Sequence, residues 1–217
     1  MCGSKKKLIS LINVGYTGVL GPALVKCRND IDYVLSFNPL YKSFDTRKHR
    51  HLQLAVSNIP GIKNFNIFKK RNCSSLFDLD KNVLPHRQKD PSDLDIEKIV
   101  KVNCIRLDKI LDLLKPTFNF LMVDAQGSDL SVIKSLGKHI EHIWCIQLEV
   151  FFTSFYYGAP MVDEVLKYME SIGNFRLLGN MRKPNPLFGD FIFINGEAPR
   201  EFIDIIGKAY NCEISLV

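Results

Sequence analysis

Two carboxylates stand at the ends of apolar runs: Asp124 directly after residues 118–123, and Glu149 near the end of residues 143–150. A carboxylate held at a strand tip can take a proton or orient a hydroxyl, and histidines are the usual rival bases. His86 falls in an irregular segment able to fold over a site, whereas His139 and His142 fall between a helix and a strand, at the opposite edge. Asp108 reads as a structural residue at the start of a helix. Asp124, Glu149 and Asp129 could gather a magnesium ion, but without a contiguous acidic pair the expectation is metal independence.

A second chemical signal is the turn Asn13-Val14-Gly15-Tyr16-Thr17-Gly18, with Gly21 three further on. Glycines there permit a tight turn and a close approach of backbone to a ligand. The spacing is not the dinucleotide G-x-G-x-x-G, so alone it is also a plain strand-to-helix turn. Polar groups recur, however, after three more strand-like runs, in Phe37-Asn38-Pro39, Ala55-Val56-Ser57 and Asp124-Ala125-Gln126-Gly127.

These residues need a scaffold that brings strand ends together. Strand-like runs over residues 8–14, 33–37, 52–56, 118–123 and 143–150 alternate with helical patterns over 17–27, 107–114, 128–136 and 162–172. Residues 64–68 read as an edge or hairpin strand, 74–100 as a surface excursion covering a site, and 175–178 with 190–194 as a terminal antiparallel pair. Pro116 closes one helix and Gly137 another. Alternating elements imply an α/β fold, a mostly parallel sheet with helices on both faces, whose ligands bind outside the carboxyl ends of the strands.

The chain has 217 residues, 46% of them hydrophobic, and a formal charge of +6. That length suits one domain over residues 1–217 and excludes collagen-like, coiled-coil and wholly disordered chains. Its six cysteines show no C-x-x-C pair, so free thiols in a reducing, cytoplasmic setting are expected. Lys5-Lys6-Lys7 ahead of residues 8–25 imitates a secretory signal, but Asn13, three glycines and Pro22 interrupt the apolar run. No stretch reaches the ~20 apolar residues of a transmembrane helix. Basic clusters such as Arg47-Lys48-His49-Arg50-His51 and Lys69-Lys70-Arg71 suit solvated loops or an anionic partner.

Taken in order, the segments already quoted, together with Cys73-Ser74-Ser75-Leu76, Arg106-Leu107-Asp108, Val123-Asp124-Ala125-Gln126-Gly127-Ser128-Asp129 and Gln147-Leu148-Glu149-Val150, resemble the FkbM-type methyltransferases over residues 8–194. The resemblance implies a class I, Rossmann-like fold with a mostly parallel seven-stranded sheet and a C-terminal antiparallel pair. It also implies S-adenosyl-L-methionine as cofactor and a sugar hydroxyl of a glycan, glycolipid or natural product as acceptor. On this reading Asp124 is the base that relieves the hydroxyl of its proton, and Glu149 or His86 the alternative. The cofactor would meet Asn13, Gly15, Tyr16, Thr17, Gly18, Asn38, Ser57, Ser75, Asp124 and Gln126. Two family acids are replaced, by Asn13 at the glycine turn and by Asn38 at the ribose position, and an asparagine still both donates to and accepts from a hydroxyl. The aromatic residues Phe151, Phe152, Phe155, Tyr156 and Tyr157 suit either stacking on a sugar acceptor or packing of the next helix. The short segment ahead of the first strand suggests a module fused to or associated with glycosyltransferases, or a partner as lid. Two other readings compete: a nucleic-acid methyltransferase, which the lack of aromatics among the basic clusters disfavours, and a degenerate interaction module, which Asn13 and Asn38 would suit.

Overall fold

The structure is a computed structural model that describes residues 7–80, 82–83, 91–114, 117–180 and 187–212. In chain order its elements are β1 (Ile9–Val14), α1 (Pro22–Lys26), β2 (Ile31–Phe37), β3 (Phe44–Asp45), β4 (His49–Leu52), β5 (Ala55–Val56), β6 (Gly61–Phe68), β7 (Ile96–Ile105), α2 (Leu107–Leu111) and β8 (Phe120–Val123). There follow α3 (Asp129–Lys134), β9 (Cys145–Phe151), α4 (Val162–Ser171), β10 (Phe175–Asn180), β11 (Phe188–Asn195) and α5 (Arg200–Tyr210).

The main sheet runs β10-β11-β9-β8-β1-β2-β4-β3. Strands β4, β2, β1, β8 and β9 are parallel, while β3, β10 and β11 pair antiparallel with their neighbours. The sheet therefore has eight strands rather than the expected seven, the addition being the two-residue β3 that folds back on β4. Consecutive strands leave β1 in one direction through β2 to β4 and return beside it as β8, so the strand order reverses between β1 and β8.

Period-two alternation explains the layers. Ile12, Val14, Leu35, Phe37, Leu121, Val123, Ile146 and Leu148 point to one face and pack beneath Leu107 of α2, Leu130 and Ile133 of α3, and Val165 and Met169 of α4. Ile9, Leu11, Val34, Phe120, Cys145, Ile192 and Ile194 point to the other, beneath Leu24 of α1 and Phe202, Ile203 and Ile206 of α5. Helices thus cover both faces. The five cysteines among the described residues are free thiols.

Several sequence expectations shift. The helix expected over 17–27 shrinks to Pro22–Lys26, because Gly18 takes φ +97° and proline is tolerated only in a helix's first turn. The strand expected over 52–56 divides. A tight turn, in which Leu54 N–H donates to Leu52 O at 2.9 Å, ends β4 and sends β5 into a separate three-stranded sheet of order β5-β7-β6. The excursion expected over 74–100 gives way to strand at Ile96. Strand β7 exposes most of its first half, including Lys98, and so lacks apolar alternation; β6 holds it by antiparallel pairing. Helix α2 ends at Leu111, short of the expected 114. Helix α5 was not anticipated, although its apolar residues at 202, 203, 206 and 209 carry the helical spacing.

Candidate active site

The carboxyl ends of β1 and β8 meet at the reversal of strand order, the place where α/β sheets bind ligands. There Asp124 N–H donates to Val14 O at 2.9 Å, and Gly15 and Tyr16 N–H both donate to Phe37 O, at 2.9 and 3.2 Å. Gly15 has φ +91°, and a β-carbon on it would lie 1.9 Å from the Asp124 carbonyl oxygen. Only glycine fits this crossing of two chains. The Tyr16 hydroxyl donates to Gly18 O at 2.7 Å and closes the turn. Asn38 ties that turn to the next one: its Nδ2 donates to Tyr16 O at 3.0 Å and its Oδ1 accepts from Leu40 N–H at 2.9 Å.

Around this crossing lie two clefts. The first has apolar walls from Val14, Phe37, Pro39, Leu54, Val56, Phe65 and Leu76, with Asn38, Asn72, Ser74 and Gln126 supplying polar groups. Of the residues expected to meet a cofactor, Gly15, Thr17, Asn38, Asp124 and Gln126 line it. Asn13 and Tyr16 line the second cleft instead, on the α1 and α5 face, which shares Gly15, Thr17 and Asp124 with the first. Gly18 lines neither. Ser57 sits in a neighbouring hollow, where its hydroxyl meets Ser131 Oγ at 3.2 Å and Lys63 Nζ at 2.9 Å. Ser75 is fully buried and donates to Gln126 O at 2.6 Å, so it supports the loop from below. Arg71, Asn72 and Ser74 at the first cleft were not expected as site residues, although Ser74 belongs to the quoted Cys73-Ser74-Ser75-Leu76 segment and Arg71 to the basic cluster Lys69-Lys70-Arg71.

Gln126 organises the carboxylates. Its backbone is left-handed, φ 49°, and its amide bridges the two candidates: Nε2 donates to Asp124 Oδ1 at 2.5 Å and to Glu149 Oε2 at 3.1 Å. One nitrogen carries two N–H donors, so a single neutral group bridges the two carboxylates. The Tyr156 hydroxyl, 2.7 Å from Gln126 Oε1 and 2.9 Å from Cys73 O, shares its one proton between them and fixes which way the amide points. Asp129, fully enclosed behind the loop, receives backbone N–H bonds from Ala125 at 3.3 Å and Gly127 at 3.2 Å. Burial, and after it the charge of Asp124, pushes the Asp129 carboxyl up to about 7.

The remaining candidates lie elsewhere. Asp108 is gripped by Arg106, whose Nε and Nη2 donate to Asp108 Oδ2 at 3.0 and 2.6 Å, and this partnership holds its carboxyl below the usual range. His139 and His142 belong to a 3-10 helix ahead of β9, at the opposite end of the sheet, where His139 Nε2 meets Asp112 Oδ1 at 3.0 Å. His86 lies outside the described residues. Of the aromatic run after Glu149, Phe151, Phe155 and Tyr156 are buried with Phe68 and Leu94 in a core between the two sheets, so packing, not sugar stacking, is their role. Among the described residues no three His, Cys, Asp or Glu side chains gather as metal ligands, and no helix is long and apolar enough to cross a membrane.

No curated protein and no solved structure shows significant similarity to the chain. The family model for the methyltransferase FkbM domain does match, over residues 19–176, a narrower span than the resemblance read from the sequence. It begins after the glycine turn and takes in β2 through the start of β10, including the Gln126 loop and Glu149. A match over well over half of 217 residues makes this chain a member of the FkbM methyltransferase family.

Proposed function

We propose that the protein is an S-adenosylmethionine-dependent O-methyltransferase acting on a sugar hydroxyl of a glycan or glycoconjugate. The observation that carries this reading is the crossing of Gly15 over Asp124 at the mouth of an apolar cleft, beside two carboxylates bridged by one amide. The cleft fits the cofactor: its apolar walls suit a purine, Asn38 stands at its edge as a hydrogen-bonding group, and the bare Gly15 backbone leaves room for close approach.

When bound, S-adenosylmethionine supplies a sulfonium methyl group: the acceptor oxygen forms an O–C bond as the C–S bond breaks, and the electron pair leaves on sulfur as S-adenosylhomocysteine. An alcohol is a poor nucleophile while protonated, so a base within hydrogen-bond reach of the acceptor is needed. Asp124 takes that proton at its carboxylate. Glu149, held by the same Gln126 amide, orients the acceptor hydroxyls. Gln126 and Tyr156 keep the pair in place before the acceptor arrives, which lowers the reorganisation needed during the reaction.

Titration calorimetry with S-adenosylmethionine and S-adenosylhomocysteine tests the reading. Micromolar binding that Gly15→Val abolishes and Asn38→Ala weakens is expected. Absence of binding to the folded protein would overturn it and favour a degenerate interaction module, the reading that Asn13 and Asn38 suit.

A further inference from the structure

The hollow that holds Ser57 adjoins the first cleft, with Leu76 and Ser128 lining both. Ile59, Phe77, Leu130 and Pro160 give it apolar walls. Two cations line it, Lys63 from β6 and Lys134 from α3, and no carboxylate does so among the described residues.

Strand alternation puts Lys63 on the same face of β6 as Phe65 and Ile67, both of which are buried. An ammonium on that face must reach a polar partner, and Lys63 Nζ donates to Ser57 Oγ at 2.9 Å. The direction of the bonds beyond it is fixed. Ser131 gives its proton to Asn58 Oδ1 at 2.6 Å, so the 3.2 Å contact between the two serines uses the Ser57 proton, and Ser57 Oγ is left to accept from the lysine. An ammonium has three N–H donors, so Lys63 is anchored by one and keeps two. Lys134 stands three residues beyond Ser131 on α3, hence on the same side of the helix. Its Nζ lies over the Tyr168 ring, 5.1 Å from the centroid, a contact that positions the charge and leaves its N–H donors available. Neither lysine is paired with a carboxylate among the described residues. Arg106, which donates to Asn58 O at 3.1 Å, is neutralised by Asp108 and adds no charge of its own.

We propose that this hollow is a binding site for a dianionic phosphate group, held between Lys63 and Lys134. Two positive charges balance a phosphate's two negative ones, and the N–H donors that the lysines keep can meet several oxygens of a tetrahedral group, whereas a carboxylate offers one charge and two oxygens. The apolar walls exclude water around the lysines and strengthen the attraction. They also give an ester surface to rest on, and the wall shared with the first cleft lets the body of such an ester extend toward it. The two lysines take no part in the proposed methyl transfer, so the site stands independently of that reading.

Phosphorus NMR titration of the whole chain provides the test, with inorganic phosphate and phenyl phosphate as probes at about pH 8, where both are dianions. The variants are Lys63→Met, Lys134→Met and the two combined. Lys134 is exposed, so its substitution leaves the fold intact even if that of the half-buried Lys63 does not. Lys138→Met is the control: it removes the same charge from an ammonium that is 74% exposed and paired with Asp112 at 3.1 Å, away from the hollow. Saturable binding is expected, about tenfold weaker in each single variant, lost in the double one and unchanged in Lys138→Met. Tighter binding of phenyl phosphate would assign a phosphorylated molecule as the occupant, and equal binding the free ion. Absence of saturable binding by either probe would overturn the proposal. So would a Lys138→Met variant weakened as much as Lys134→Met, which would make the attraction a property of the net charge of +6 rather than of the hollow.

Discussion

Gly15 and Asp124 cross so closely that a β-carbon on the glycine would lie 1.9 Å from the aspartate's carbonyl oxygen. The backbone of the glycine turn is thus seated directly on the loop that carries Asp124, the proposed base, and the position of one defines the position of the other. Gly15→Ala must displace backbone, not a pliable side chain, and also forces φ +91° on an L-residue. A loss of about 3 kcal/mol, or roughly 6–12 °C in Tm, is expected by calorimetry. Gly18→Ala is the control: its φ is +97° but open space surrounds it, so about 1 kcal/mol of backbone strain is all that is expected.

Asp124→Asn keeps the shape of the side chain and removes its ability to accept a proton. Methyl transfer should fall about 10²–10⁴-fold with donor affinity little changed, measured with labelled methyl donor. An equal loss of donor affinity would make Asp124 a binding residue rather than the base.

Tyr156→Phe leaves Gln126 Oε1 and Cys73 O without the phenolic proton. With the ring retained, the expected loss is about 1–3 kcal/mol in denaturant unfolding. Turnover should drop further, because the Gln126 amide is then free to flip away from the two carboxylates.

Asp129 gives stability a definite slope with pH. Its folded-state carboxyl titrates near 7 against an ordinary 3.8, so the folded protein holds the proton more tightly than the unfolded chain. This contribution makes stability fall as pH rises from about 4 to about 7, and then level off, by an amount on the order of a few kcal/mol. Asp129→Asn, which keeps an oxygen acceptor for the Ala125 or Gly127 N–H, should flatten that slope in denaturant unfolding across the window.

Phe155→Ala distinguishes packing from acceptor recognition. Phe155 is 4% exposed, stacked 6.2 Å from Phe151 and edge-on to Tyr156 at 5.0 Å. A cavity cost of about 3–5 kcal/mol in unfolding is expected, with acceptor preference among glycosides unchanged in the protein that remains folded.

The sequence by itself determined the parts whose signal is local. Continuous apolar runs ending in Asp124 and Glu149 gave β8 and β9, the amphipathic pattern gave α4, and glycine at position 15 marked a turn that no other residue can make. The ordered motifs led to the FkbM family. What neighbours in space decide was not legible. Strand β7 is mostly exposed and exists because β6 pairs with it, and the apolar continuity across Leu52 to Val56 conceals a turn between two sheets. The same holds for the site. Asp124 and Glu149 could be named from their strand tips, but that Gln126 would join them, that Ser57 and Ser75 would face away, and that Tyr156 would serve the core were settled by packing. Side-chain partners separated by dozens of residues are chosen by the register and twist of a finished sheet, and a linear pattern of residue types records neither.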